Sequence, residues 1–107
     1  MNFFDTALLL KDMYKDTYFP NFLVEKIEKK LIELIVLLEE GEKSLDEIQI
    51  KCDEVTDYIN GLESEFYENN SEVETVARES IADSFYMILN FFNINIDIET
   101  AIRNRDW

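Results

Sequence analysis

Residues 34–38, Leu-Ile-Val-Leu-Leu, are apolar in every direction around a helix, and this run constrains the fold more than any other. The stretch from Pro20 to Gly41 reads as one helix. Val24, Ile27, Leu31, Leu34 and Leu38 recur at steps of three and four and so share one side. Glu25, Lys26, Lys29 and Lys30 occupy the other side of its first half. A helix that is apolar all round has to be covered all round, so neighbours are expected on more than one face of its second half.

The rest of the chain supplies those neighbours. Ser44 with Glu47 forms a capping box, and a third helix runs from there to about Glu68. Leu45, Ile48, Cys52, Val55, Ile59, Leu62 and Phe66 keep an unbroken three-four alternation along it, a bundle seam with Gly61 off the seam. Asn69-Asn70 breaks the chain, and Ser71 with Glu74 forms a second capping box. The fourth helix then runs to about Phe92 with Val73, Ala77, Ile81, Phe85, Ile88 and Phe92 as its stripe. Its end, FYMILNFF, is expected to face the all-apolar half of the second helix.

Shorter elements flank these three. Residues 5–16 read as a first helix capped by Asp5, with Ala7, Leu10 and Tyr14 on one face. Residues 17–20 turn the chain, with Tyr18 and Phe19 under the turn and Pro20 in the first turn of the next helix. Gly41 suits a left-handed cap. Residues 94–98 alternate like a strand but have no second strand to pair with, so they read as an extended linker pressed on the core. Asp97 can cap a last short helix carrying Ile98, Ala101 and Ile102. Arg103 and Arg105 suit its C-terminal dipole, and Trp107 is expected to tuck into the bundle. Short connections make sequential helices antiparallel neighbours. The expected architecture is all-α: an up-and-down bundle of three long helices with two short flanking helices, one helical domain over residues 1–107.

The run LLKDMYKDTYFPNFLVEKI, with SEVETVARESIADSF and the ending RNRDW, resembles a family of small bacterial proteins, the domain of unknown function numbered 5713. The resemblance spans nearly the whole chain. It implies an uncharacterised domain and supplies no catalytic or binding residue.

Composition excludes more than it identifies. Twenty-four acids against ten bases leave a net charge of −14 over 107 residues. Nucleic acid is a poor partner for such a surface, because its affinity comes from neutralising phosphates with Lys and Arg. An anionic membrane is disfavoured for the same reason, and the run at residues 34–38 is far too short to span one. The start, MNFFDTALLLKD, lacks the basic region of a signal peptide. Cys52 is the single cysteine, so no internal disulfide forms, and a reducing, cytoplasmic setting is expected. Its place on an apolar stripe makes it a core residue rather than a reactive thiol. The chain has no His, which removes the commonest general base and metal ligand together. No cofactor motif is present.

Two constellations remain. Residues 53–99 hold twelve acids and one base, Arg78. Glu63, Glu65, Glu68, Glu72 and Glu74 crowd around one interhelix turn beside Tyr67, and Glu47, Glu54, Asp57 and Glu68 extend the field along the third helix. Such a field serves solubility as a solvated face, or it docks a basic protein, as an immunity protein, an antitoxin for a basic toxin or a nucleic-acid mimic would. The acids at residues 63, 65 and 68 lie near a helix C-terminus, where the dipole disfavours them, so local stability does not account for them. The second constellation is Glu79 and Asp83, at i and i+4. It is loosely similar to the metal-binding helix of all-α nucleotide pyrophosphohydrolases, but Ser80 stands where that pattern has an acid. Glu25 and Glu28 are the nearest matching pair, crowded by Lys26, Lys29 and Lys30. Glu74 and Arg78 are spaced for a surface ion pair. The sequence thus points to a non-enzymatic protein-binding module, with a metal-dependent nucleotide hydrolase and a self-associating protein as alternatives. It names no oligomeric state.

Overall fold

The computed structural model describes residues 3–107, so Met1 and Asn2, part of the leader reading, lie outside the described residues. The chain is all-helical. A single 3-10 turn at Thr6–Leu8 precedes α1 (Lys11–Lys15), α2 (Asn21–Glu39), α3 (Leu45–Glu68), α4 (Thr75–Phe91) and α5 (Ile98–Ala101). No strand occurs among the described residues; Ile94 and Ile96, in the segment without secondary structure, and Ile98, at the start of α5, lie half-buried on the core.

Helices α2 and α3 form the central antiparallel pair. The register is written in side chains: Lys26 meets Glu65 at 2.8 Å, Lys30 sits 4.9 Å from the Tyr58 ring, and Lys51 meets Glu33 at 2.9 Å. As numbers rise along α2 they fall along α3. The stripe Val24, Ile27, Leu31, Leu34 and Leu38 is buried, as is the α3 seam from Ile48 to Phe66. Leu45 is the exception. It stands at the first position of α3 and is half exposed. The expectation that residues 34–38 are covered on all sides fails too. Val36 is 48% exposed, because no helix packs on the outer side of α2 at this level.

The first 16 residues depart from the single predicted helix. A 3-10 turn capped by Asp5 ends at Leu8, and α1 starts only at Lys11. Leu10 adopts a left-handed conformation, φ 55°, which costs an L-residue about 1–2 kcal/mol. The reason lies on another helix. The Leu10 N–H donates to Ser84 Oγ at 3.0 Å instead of to a carbonyl one turn back. Breaking there buries Leu9, Leu10 and Met13 and turns Ala7 to solvent. The segment runs antiparallel to α4, with Phe4 stacked edge-on against Phe91 at 5.5 Å.

Both α3 and α4 end in the same way. Asn70 and Asn93 adopt φ values of 60° and 56°. The following N–H groups, of Ser71 and Ile94, donate to Phe66 O at 2.8 Å and Leu89 O at 2.9 Å, which is the Schellman arrangement with Asn in the left-handed position. This overturns the second capping box. Ser71 belongs to the end of α3, and α4 starts at Thr75 with Glu74 as its cap and no capping side chain. The first box is as expected, with Ser44 Oγ accepting from Glu47 N–H at 3.1 Å.

Sequential packing also fails between α3 and α4, whose backbones scarcely approach. The C-terminal segment fills the seam, with α5 in contact with both helices and with Ala101 and Ile102 buried. A polar ladder fixes it along α3. Gln49 Nε2 donates to Thr100 O at 2.9 Å, Arg103 binds Asp53, Asn104 Nδ2 donates to Asp57 Oδ1 at 3.2 Å, and Asn60 binds Asn104 O and Asp106 N–H. Arg103 and Arg105 therefore pair with Asp53 and Glu99 rather than with a helix dipole. Trp107 packs half-buried against the core.

Candidate functional site

The left-handed Asn70 turns the chain sharply out of α3, and residues 71–74 cross to α4 without secondary structure. This leaves an open groove of about 510 Å³ lined by Glu63, Ser64, Tyr67, Glu68, Glu72 and Val73. A second cleft of about 350 Å³ adjoins it, lined by Tyr18, Tyr67, Asn70, Ser71 and Glu72. Tyr67 and Glu72 belong to both. Tyr67 is 74% exposed, an unusual position for a ring of that size. The Ser71 side chain is buried and its Oγ has no hydrogen-bond partner.

The five glutamates expected to act together are divided by the structure. Glu63, Glu68 and Glu72 line the groove. Glu65 turns away to Lys26, and this hydrogen bond is the main reason the Lys26 ammonium is held above its ordinary pKa. Glu74 caps α4 half-buried. Burial, followed by the charges of Glu72 and Glu74, raises the pKa of the Tyr18 phenol in the second cleft. Among the described residues neither Glu68 nor Glu72 has a cationic partner within ion-pair distance.

Glu63 is chemically distinct. Its Oε1 is buried without a partner, and burial together with the neighbouring Asp106 carboxylate raises its pKa to about 7. Two carboxyl groups facing each other cannot both ionise cheaply. Of the three acids near the end of α3, only Glu65 gains a stabilising partner, Lys26; Glu63 faces a second carboxylate and Glu68 has no cation.

The rest of the acidic stripe is engaged within the fold. Glu47 binds Ser44, Glu54 binds Lys51, and Asp57 binds Asn104. The ladder on α3 was missed in the sequence, although Gln49, Asp53, Asp57 and Asn60 recur at steps of four and three beside the apolar seam. Glu74 and Arg78 do not pair. Arg78 donates instead to Thr75 Oγ1 at 2.9 Å.

The carboxylates of the hydrolase reading are not brought together. Asp83 lines a cavity of about 290 Å³ beside Leu10 and Lys11, while Glu79 lines another near Trp107. Glu28 accepts from the Tyr14 hydroxyl at 2.8 Å, and burial, then this bond, raises the tyrosine's pKa well above its ordinary value. Among the described residues no three acidic, Cys or His side chains converge to hold a metal. Cys52 is fully buried, and burial, then the charge of Asp53, pushes its thiol up to about 12. No helix among the described residues is long and apolar enough to cross a membrane.

Neither the curated proteins nor the solved structures give a match to this chain. The chain matches a family of unknown function, DUF5713, over residues 3–107, and it belongs to that family.

Proposed function

We propose that this protein is a non-catalytic binding module, of the immunity-protein or antitoxin kind, working in the bacterial cytoplasm and docking a basic protein segment at the α3–α4 turn. The observation that carries the reading is the pair Glu68 and Glu72, which line one groove with an exposed Tyr67 and have no internal cation. Of the bases on α2 and α3, Lys26, Lys30 and Lys51 go to Glu65, Glu33 and Glu54 instead. A Lys or Arg entering the groove would meet two carboxylates and a ring face suited to cation–π contact. The net charge of −14 would speed the encounter.

The test uses a basic peptide of alternating Lys and Arg and the native host's lysate in parallel. Capture by the wild-type protein should weaken with salt and be lost in Glu68→Gln/Glu72→Gln. Glu47→Gln/Glu54→Gln, an equal charge change elsewhere, should retain it. Equal loss in the two double variants would reduce the effect to net charge and sink the proposal.

A further inference from the structure

A different cavity has the opposite chemistry. It has a volume of about 330 Å³ and is lined by Thr75, Arg78, Glu79, Ala82, Arg105 and Trp107. Two of the chain's ten bases converge here, one from α4 and one from the C-terminal segment wedged against it. Neither guanidinium is well satisfied. Arg78 forms no ion pair among the described residues and makes one bond, to the neutral Thr75 hydroxyl. Arg105 has a single long contact, 3.4 Å to Glu99. A guanidinium carries five donors, so most remain unclaimed.

The indole of Trp107 lines the same cavity. Trp107 Nε1 is buried with no acceptor, and its ring lies 5.7 Å from the Arg105 guanidinium carbon. One acid, Glu79, lines the cavity and pairs with neither arginine. With Glu99 on Arg105, the local charge is close to balanced, so the site suits an oxygen acid of low charge rather than a polyanion.

We infer that the cavity between the start of α4 and Trp107 binds a small oxyanion, a carboxylate or phosphate group, held by Arg78 and Arg105. Arginine forks match both groups. The site is independent of the acidic groove, and each can exist without the other.

Trp107 is the only tryptophan in the chain, so its emission reports on this cavity alone. The full chain is titrated with sodium acetate and with inorganic phosphate at constant ionic strength. A saturable change in Trp107 emission with either anion is expected, and the anion that produces it identifies the group. Arg78→Gln and Arg105→Gln should each weaken binding by roughly tenfold or more, the loss of one charge-assisted contact. Glu79→Gln should strengthen it, a gain that damage to the fold would not produce. Far-UV circular dichroism verifies that each variant is folded. The inference is overturned if neither anion saturates, or if either arginine substitution leaves the affinity unchanged.

Discussion

Arg103 grips Asp53 with two nitrogens, Nε at 3.1 Å from Oδ1 and Nη2 at 2.7 Å from Oδ2, across fifty residues of chain. Gln49 donates to the same carboxylate at 2.9 Å. Burial alone would raise the Asp53 pKa, but these bonds outweigh it and hold it below the ordinary carboxylate value. A depressed carboxylate stabilises the fold above its unfolded pKa, and that contribution is lost as pH falls through the lower folded value. Asp53→Asn should therefore lower the melting temperature at neutral pH and flatten the loss of stability in strong acid. Amide exchange should quicken first over residues 98–106, and uniform quickening would refute the local role.

Glu63 carries the opposite sign. Its folded pKa, raised to about 7 by burial and by Asp106, lies above its unfolded value. The folded state then holds the proton more tightly, so its contribution to stability is full below about pH 4.5 and is lost as pH rises to about 7. In that window the wild type should melt progressively lower as pH rises, and Glu63→Gln should remove this component. Superimposable pH profiles of the two proteins would contradict it.

The Ser84 hydroxyl accepts from Leu10 N–H and donates to Ser80 O at 2.9 Å. Ser84→Ala leaves a buried donor unpaired beside a left-handed residue. The cost should be about 1–3 kcal/mol in denaturant unfolding, large for the loss of one oxygen atom. A change below about 0.5 kcal/mol, the surface range, would mean that the segment refolds into the continuous helix.

Leu34→Ala should cost about 2–5 kcal/mol, the usual range for a buried leucine. Val36→Ala, two residues away in the same apolar run, should stay within about 0.5 kcal/mol because its side chain is already half in water. Equal losses would show that something covers Val36 in solution, and light scattering would reveal a second copy there.

The two sides of the acidic turn should separate under mutation. Glu68→Gln and Glu72→Gln remove charges without internal partners, so they should raise the melting temperature slightly at low salt and lose the effect at high salt. Glu65→Gln breaks the pair with Lys26 and should not raise it. A rise for all three would mean that the Lys26 pair contributes nothing.

The sequence by itself determined the helices and the inner face of each. Three-four periodicity depends only on the geometry of one helix, so Ile27, Leu31 and Leu34 on α2, Ile48, Val55 and Ile59 on α3, and Ile81, Phe85 and Ile88 on α4 were legible as core. Local caps were legible where donor and acceptor lie within three residues, as at Ser44 and at Asp97, which accepts from Thr100 N–H. What only the tertiary structure decided depends on partners far apart in the chain. Ser84 breaks the first helix at Leu10 from 74 residues away. The C-terminal segment separates α3 from α4 because Ala101 and Ile102 fill their seam and a polar ladder fixes them there. The acidic turn looked like one field of five charges in sequence. Lys26 takes Glu65, Asp106 faces Glu63 and Glu74 caps α4 half-buried, which leaves Glu68 and Glu72 as the exposed carboxylates without a cation.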